Sequence, residues 1–313
     1  MAEHPPIFME WRKSGMKKFL AVGLAVMMTA VTVCGCGGSD NGTGKNNAGS
    51  SSGSAAQEPQ AVKVIDVDLT QEDYAFGVDK DQPELLKAAN DFIKEIKDNG
   101  KFDEICNKYF GDGEPAPVKS AEVDSSKDQL LVATNSFFEP YEYTKGNDYY
   151  GIDMEVAAAF AEKLGKELVI QNMDFDSVCL SVGQHKSDIA MAGLTIKEDR
   201  KKYVTFTDPY YNASQRIIVK GDNTEFDACK DAESVEKILK TKDKSVTIGV
   251  QNGTTGQLYS AGNKNDYEGF NVTTTGYKNG SLAVQDLING NIDYVVIDSA
   301  PAKCITDAIN KIQ

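Results

Sequence analysis

Histidine and tryptophan are the scarcest residues of this 313-residue chain, which holds only His4, His185 and Trp11. So few histidines leave little room for a catalytic set built on imidazole, the side chain that acid–base catalysis uses most often. Basic charge is also in short supply, because 33 Lys and Arg residues stand against 47 Asp and Glu, a formal net charge of −14. Nucleic-acid binders carry a basic face and membrane-surface proteins a polybasic patch, so both classes are disfavoured.

The cysteines beyond the N-terminal region form no metal-binding pattern. None belongs to a C-x-x-C pair or neighbours a histidine, so a zinc site is disfavoured, and no metal or cofactor is expected. Disulfides stay open in an exported chain, because spacing alone cannot pair these residues. They are Cys106, Cys179, Cys229 and Cys304.

A basic and then apolar segment lies near the N-terminus. Met16-Lys17-Lys18 precedes the 15-residue apolar run 19–33, which is too short for a comfortable transmembrane helix and is typical of a secretory signal. The run ends in Val33-Cys34-Gly35-Cys36, which resembles the lipobox of bacterial lipoproteins, with Cys36 as the lipidated residue. An ordinary secreted protein with two stray cysteines is the alternative.

Residues 1–35 are therefore expected to be a signal peptide, with residues 1–15 a doubtful extension before a better start at Met16. Their net charge of +2 leaves −16 on the rest of the chain. Residues 36–61 contain no large apolar side chain, so they cannot bury enough surface to fold and are expected to form a flexible tether. The expected location is the extracytoplasmic face of a bacterial cell membrane.

The body of the chain alternates strand and helix patterns. Short strand signals at 62–67 and 73–78 precede a helix whose apolar residues recur every three or four positions between 85 and 96. The polar, proline-containing stretch 112–129 is typical of a linker. Strands and short helices then alternate from 130 to 312, which favours α/β layers with mostly parallel sheets.

Several motifs follow one another in the order of a known family. They are LVATNSFFEPYEY (131–143), GIDMEVAAAFAEKLG (151–165), MDF (173–175), SDIAMAGLTIKEDR (187–200), FTDPYYNAS (206–214), IGVQNGTTG (248–256) and AVQDLINGNIDYVVIDSAPA (283–302). Together they resemble the polar amino-acid family of bacterial extracellular solute-binding proteins, the receptors of ABC importers.

This resemblance implies a two-lobed α/β fold of the periplasmic-binding-protein type, with a mostly parallel sheet in each lobe and two hinge strands around a ligand cleft. In the family the chain closes with a return strand and two helices, a piece that here resembles residues 62–111. A circular permutation accounts for this order, and an unrelated helical prefix is the alternative. The expected division is a lobe 2 strand at 62–70, lobe 1 at 75–209 including the permutation linker 112–129, and lobe 2 at 215–313.

Arg200 matches a family position that holds the carboxylate of an amino acid, and Asp298 stands at the carboxyl end of the strand pattern 292–297. Arg200 offers a planar pair of donors that suits a carboxylate, and Asp298 offers an acceptor for an ammonium group. Arg200 could instead pair with Glu198 or Asp199 on a helix surface, and Asp298 could cap the helix that begins at residue 300.

Further candidates offer main-chain groups and hydroxyls to the same ligand. Thr195 has a hydroxyl and an N–H group, and Gly193 lets the ligand approach the main chain. Thr254 and Thr255 open a helix whose free N–H groups favour a carboxylate. Taken alone, that pattern is an ordinary helix N-cap.

Two aromatic and two amide side chains complete the candidate site. Phe138 and Phe175 are expected to sandwich the ligand side chain, although lone aromatic residues commonly belong to a core. Asn135 and Gln251 present amides, each of which both donates and accepts, and this favours an uncharged polar ligand such as glutamine.

Acidic Glu139 and Glu142 leave arginine, lysine or histidine open as ligands. We expect a monomeric receptor that presents a polar amino acid to the permease and ATPase of an ABC importer and is no enzyme. An enzyme on the same fold, of the dehydratase or peptidoglycan-hydrolase type, is the alternative, although no acid–base pair is singled out. A lipid-tethered sensor would have the same cleft.

Overall fold

The computed structural model describes residues 60–263 and 265–312, which form an α/β body. The expected signal peptide, the lipidation site Cys36 and the tether up to residue 59 lie outside the described residues. In the part of the chain that is described, no helix is both long and apolar enough to cross a bilayer.

Eight α-helices lie in the described residues. They are α1 (Pro83–Asp98), α2 (Lys101–Phe110), α3 (Ile152–Leu164), α4 (Phe175–Gly183), α5 (Ala232–Leu239), α6 (Thr255–Ala261), α7 (Gly280–Asn289) and α8 (Ser299–Asn310). The apolar stripe predicted between 85 and 96 is confirmed by α1, which buries Phe92, Ile93 and Ile96. A 3₁₀ turn spans Arg200–Lys202.

The strands are short, as expected of an α/β body with many connections. They are β1 (Val62–Val64), β2 (Glu72–Tyr74), β3 (Gly77–Asp79), β4 (Gln129–Thr134), β5 (Phe137–Phe138), β6 (Glu142–Lys145), β7 (Asp148–Tyr150), β8 (Glu167–Asn172), β9 (Ile189–Ala190), β10 (Val204–Phe206), β11 (Tyr211–Ala213), β12 (Gln215–Lys220), β13 (Thr247–Gln251), β14 (Thr273–Tyr277) and β15 (Tyr294–Asp298).

Two five-stranded sheets form the centres of two lobes. The sheet of lobe 1 has the order β10-β3-β9-β4-β8, and the sheet of lobe 2 has the order β1-β12-β15-β13-β14. In lobe 1 the strands β8, β4 and β9 are parallel, and in lobe 2 the strands β14, β13 and β15 are parallel. The predicted two-lobed α/β fold with mostly parallel sheets is therefore confirmed.

The front segment of the chain enters both sheets. β1 pairs with β12 at the edge of lobe 2, β2 pairs with β11 in a separate two-stranded hinge, and β3 lies between β10 and β9 inside lobe 1. The single strand predicted at 73–78 is wrong, because the chain leaves the hinge after Tyr74 and joins another sheet at Gly77.

Residues 112–129 lie along lobe 1 as an ordered connection rather than a loose linker. Val118 is buried, and its backbone exchanges two hydrogen bonds with Tyr149. The Ser120 hydroxyl accepts from the backbone N–H of Ile170 at 2.8 Å, and the N–H of Ala121 donates to Leu168 at 2.9 Å. These bonds use backbone groups, which the polar composition of the segment does not reveal.

We expect that a chain lacking residues 60–111 fails to fold. The deletion removes β1, β2 and β3 and, among its buried side chains, five large apolar ones from α1 and α2, each of which contributes about 1.5–3 kcal/mol by burial. They are Phe92, Ile93, Ile96, Phe102 and Ile105. Their sum is comparable to the whole free energy of unfolding of a typical domain, about 5–15 kcal/mol. Circular dichroism during heating should show no cooperative transition, and a cooperative melt of the shortened chain would contradict this prediction.

Candidate functional site

The carboxyl ends of parallel strands from both lobes lead into one buried region. Asn135 follows β4 in lobe 1, and Gln251 ends β13 in lobe 2. Gln251 Nε2 donates to Asn135 Oδ1 at 3.0 Å, while Asn135 Nδ2 donates to the Met173 carbonyl at 2.7 Å. The two predicted amides are therefore brought together and bind each other across the lobes. Within the described chain, Gln251 Oε1 is buried without a hydrogen-bond partner.

Two predicted threonines meet at the same region. Thr255 Oγ1 donates to Thr195 Oγ1 at 3.2 Å, and Thr195 Oγ1 donates to Glu72 Oε2 at 2.6 Å. Thr254 differs, because its hydroxyl donates to the carbonyl of Gln251 at 2.8 Å within its own loop. Sequence reasoning missed Glu72, which lies in the hinge strand β2.

Arg200 reaches from lobe 1 to lobe 2. Its Nη1 donates to the Thr195 carbonyl at 2.7 Å, and its Nη2 donates to the Gly253 carbonyl at 3.1 Å. The guanidinium lies 5.1 Å from the centre of the Phe175 ring, a cation–π distance. The predicted Arg200 and Phe175 are therefore neighbours.

The surface alternative for Arg200 finds no support in the ion pairs. Glu198 pairs with Lys201 and Asp199 pairs with Lys202, each at 2.6 Å. The acidic neighbours of Arg200 in the sequence therefore have other cationic partners, and the guanidinium turns toward the lobe boundary.

Gly193 lies where two aromatic rings close on the main chain. Its φ of 52° is in the left-handed region, and a Cβ there would come within 3.1 Å of Phe138 and 3.3 Å of Tyr74. Only glycine avoids both the strain and the collision. Phe138 is buried beside Tyr141, with ring centres 5.9 Å apart. Tyr141 is thus part of the same aromatic wall.

Asp298 is a buried acid rather than a helix cap. It stands at the N-cap position of α8, but its carboxylate makes no capping hydrogen bond. Instead, Tyr74 donates its hydroxyl to Asp298 Oδ1 at 2.5 Å. Burial first, and the charge of Glu72 second, raise the pKa of Asp298 to about 7. A cation in contact with this carboxylate would favour its ionised form.

Two further acids lie nearby. Asp153 accepts from the Gly193 N–H at 2.9 Å and from the Tyr210 hydroxyl at 2.7 Å, and burial raises its pKa to about 7. Glu142 is 0% exposed, and within the described chain neither of its carboxyl oxygens has a hydrogen-bond partner. Burial, and then the charges of Asp153 and Asp298, raise the pKa of Glu142 well above its usual value.

The short strands offer the signal that could have pointed to these acids. Side chains alternate along a strand, so Glu72 and Tyr74 share one face of β2. Glu142 pairs with Phe138 between β6 and β5, which puts the acid beside a predicted ligand contact. Apart from this alternation, the sequence singles out Glu142 but neither Glu72 nor Asp153 among the 47 acids of the chain.

One cluster of potential metal ligands lies among the described residues. Donor atoms of Asp79, Asp81 and His185 lie within 4.8 Å of one another. His185 Nδ1 is 2.7 Å from Asp79 Oδ2, and this hydrogen bond raises the pKa of the imidazole. The His185 side chain is 59% exposed.

Comparison with known proteins gives a family match over residues 130–299, more than half of the chain. The family is described as "Bacterial extracellular solute-binding proteins, family 3". The "Arginine-binding extracellular protein ArtP" of Bacillus subtilis (strain 168) is 34% identical over 130 residues, which are 42% of this chain and 46% of that protein. The "Arginine-binding periplasmic protein" of Mannheimia haemolytica is 33% identical over 177 residues, 56% of this chain and 65% of that protein.

A solved structure shares the fold. It is the "ancestral amino acid-binding protein AncCDT-1, a precursor of cyclohexadienyl dehydratase", with 28% sequence identity and a TM-score of 0.50. The alignment covers 66% of this chain and 78% of that one. The chain spans about half to two thirds of the length of the two curated relatives.

We expect the free energy of unfolding of the ligand-free protein to fall as the pH rises from about 4 to about 7. The folded chain keeps a proton on Asp298 that the unfolded chain releases near its ordinary pKa of about 3.9. Each unit of difference corresponds to about 1.4 kcal/mol. Asp298→Asn removes this contribution and should make the decline smaller by a few kcal/mol at most, while Asp153 still contributes in the same direction.

Urea unfolding at a series of pH values measures this slope. Asp222→Asn, in an exposed turn, is the matched control and should leave the slope unchanged. An Asp298→Asn slope equal to that of the unmodified protein would show that this carboxyl does not hold a proton in the folded state.

Proposed function

Because the chain belongs to family 3 of the bacterial extracellular solute-binding proteins, we propose that it is a receptor that captures a free amino acid between its lobes. A lipid on Cys36 holds the receptor at the outer face of the cell membrane, and an ABC-type permease accepts the amino acid from it. The observation that carries this proposal is a group of buried acids where the two lobes meet. They are Glu72, Glu142, Asp153 and Asp298.

The two ends of an amino acid have separate partners in this proposal. Asp298 takes the α-ammonium group, because its carboxylate is buried and its neighbours include no described cation, only donors such as the Tyr74 hydroxyl. Arg200 takes the α-carboxylate. To do so, its guanidinium gives up its hydrogen bonds to two backbone carbonyls at the lobe boundary and donates to the carboxylate instead. Phe138 and Phe175 line the space beside them.

The ligand side chain is cationic, and arginine is the first candidate. Asn135 and Gln251 bind each other, which removes much of the reason for an amide ligand. Glu142 is a fully buried acid with two unpartnered oxygens, and burying an uncompensated carboxylate costs several kcal/mol. A guanidinium supplies both charge and paired donors. The two curated relatives, an arginine-binding extracellular protein and an arginine-binding periplasmic protein, support the same ligand class.

We expect calorimetry against the twenty amino acids to show binding, with arginine ahead of glutamine. Asp298→Asn and Arg200→Ala should each weaken binding by at least about 100-fold, because each removes a charged partner of one end of the ligand. Glu142→Gln should weaken the binding of arginine by at least about tenfold and change the affinity for glutamine by no more than about threefold.

The adjacent, exposed Glu139 provides the control, and Glu139→Gln should bind arginine as the unmodified protein does. An unmodified protein that binds no amino acid would overturn the receptor assignment. Recovery of a chemically changed ligand would favour an enzyme on this fold. If Glu142→Gln loses the same affinity for arginine as for glutamine, the proposed preference for a cationic ligand is overturned, but the receptor assignment is not.

We further propose that the chain is a circular permutant of its family. The family match begins at residue 130, whereas the strands β1, β2 and β3 that pair with its parts lie ahead of it. The two ends of the described body are adjacent, because Asn310 Oδ1 accepts from the N–H groups of Ala61 and Val62, and Asn310 Nδ2 donates to the Val62 carbonyl at 2.8 Å. A short loop can therefore join them.

A reordered chain should fold like the original. In this variant residues 112–312 come first, a short Gly/Ser linker follows, and residues 61–111 come last. Every described contact is kept except the backbone link after Gly111, so the melting temperature should stay within about 5 °C and arginine affinity within about threefold. The control is the same reordered chain in which the sequence of residues 61–111 runs in reverse. A reordered chain that does not melt cooperatively would contradict the proposal.

A further inference from the structure

The hinge carboxylate Glu72 is surrounded by donors from both lobes. It is 5% exposed. Its Oε1 accepts from Thr70 Oγ1 at 2.6 Å and from Gln215 Nε2 at 2.9 Å, and its Oε2 accepts from Thr195 Oγ1 at 2.6 Å. Thr195 follows β9 of lobe 1, and Gln215 begins β12 of lobe 2. The hinge strand thus holds one group from each lobe through a single side chain.

The contact with Glu72 fixes the direction of a hydroxyl. A threonine hydroxyl has one proton to give and two lone pairs to offer, whereas an ionised carboxylate can only accept. Thr195 gives its proton to Glu72, so toward every other neighbour its oxygen is an acceptor. Thr255 already donates to that oxygen at 3.2 Å, longer than the contact with Glu72.

The direction of this hydroxyl selects one end of an amino acid. An α-ammonium group only donates, and an α-carboxylate only accepts, so an oxygen held as an acceptor suits the ammonium and repels the carboxylate. We propose that Glu72 is a positioning residue that holds Thr195 as an acceptor for the α-ammonium group of the ligand. This inference rests on the proposed amino-acid receptor.

The charge of Glu72 acts in the same sense. It is the second cause, after burial, of the raised pKa of Asp298, the proposed partner of the same ammonium. The titratable groups that interact electrostatically with Asp298 also include Tyr74, Tyr141, Glu142 and Tyr267. All of them are acids, so a cation is the ligand group that this neighbourhood accepts.

The test compares ligands with and without the α-amino group. The probes are L-arginine with 5-guanidinopentanoic acid, and L-glutamine with 4-carbamoylbutanoic acid, each measured by calorimetry or ligand competition. Glu72→Gln should weaken the two amino acids by at least about tenfold and the two deaminated acids by less than about threefold. An amide in place of the carboxylate can give a proton to Thr195 and so reverse its direction.

Matched variants separate positioning from support of the fold. Thr195→Val should show the same selective loss, and the double variant with Glu72→Gln should lose little more than either single change, because both remove one interaction. Glu162→Gln, on the exposed face of α3, should change neither affinity. If Glu72→Gln does not melt cooperatively, Glu72→Asp replaces it, since it keeps the charge but withdraws the carboxylate from Thr195.

Each outcome of these measurements either supports or overturns the positioning role of Glu72. Equal losses for amino acids and deaminated acids would show that Glu72 only supports the hinge and would overturn the inference, as would unchanged affinity in the Gln or Asp variant. Binding of neither arginine nor glutamine by the unmodified protein would remove the receptor proposal itself. A loss confined to ligands with an α-amino group supports the positioning role.

Discussion

The structure depends on buried carboxyl groups whose charge the described neighbouring side chains do not compensate. Asp298 and Glu142 are almost fully enclosed, and the groups described beside them are hydroxyls, an amide, aromatic rings and other acids. Such burial costs free energy that folding must recover elsewhere. A binding protein recovers it differently, because a cationic ligand lowers the cost when it arrives. In the proposed receptor, the acids that weaken the empty site at neutral pH therefore strengthen the site that holds a cationic ligand.

The hinge is part of the site and does more than connect lobes. Glu72 and Tyr74 lie on one face of the three-residue strand β2. Glu72 contacts Thr195 of lobe 1, and Tyr74 contacts Asp298 of lobe 2. A change in the angle between the lobes must alter at least one of these short hydrogen bonds. In the proposed receptor, contact with the ligand and the position of the lobes are coupled in this way through a single strand.

Local pattern in the sequence predicted the helices and the parallel strands well, because their periodicity depends on near neighbours. The stripe of α1, with Phe92 and Ile96 buried, is an example. The hinge acids could not be found in this way. Tyr74 and Asp298 lie 224 positions apart, and only the assembled topology shows that they touch. Sequence reasoning named Asp298 but not Glu72, although residue 72 lies in the segment 62–111 that resembles the closing piece of the family's chain.

Bonds between the lobes set the balance between closing and binding. Gln251 donates to Asn135, Arg200 donates to Gly253, and Lys197 lies 4.5 Å from the centre of the Tyr267 ring. Each of these contacts stabilises the closed arrangement without a ligand. An amino acid that enters must exchange some of them for contacts of its own, so its net affinity is the difference between the two sets. Within the described chain Glu142 has no hydrogen bond to give up. In the proposed receptor, a cation that reaches this carboxyl group therefore adds a contact without replacing one.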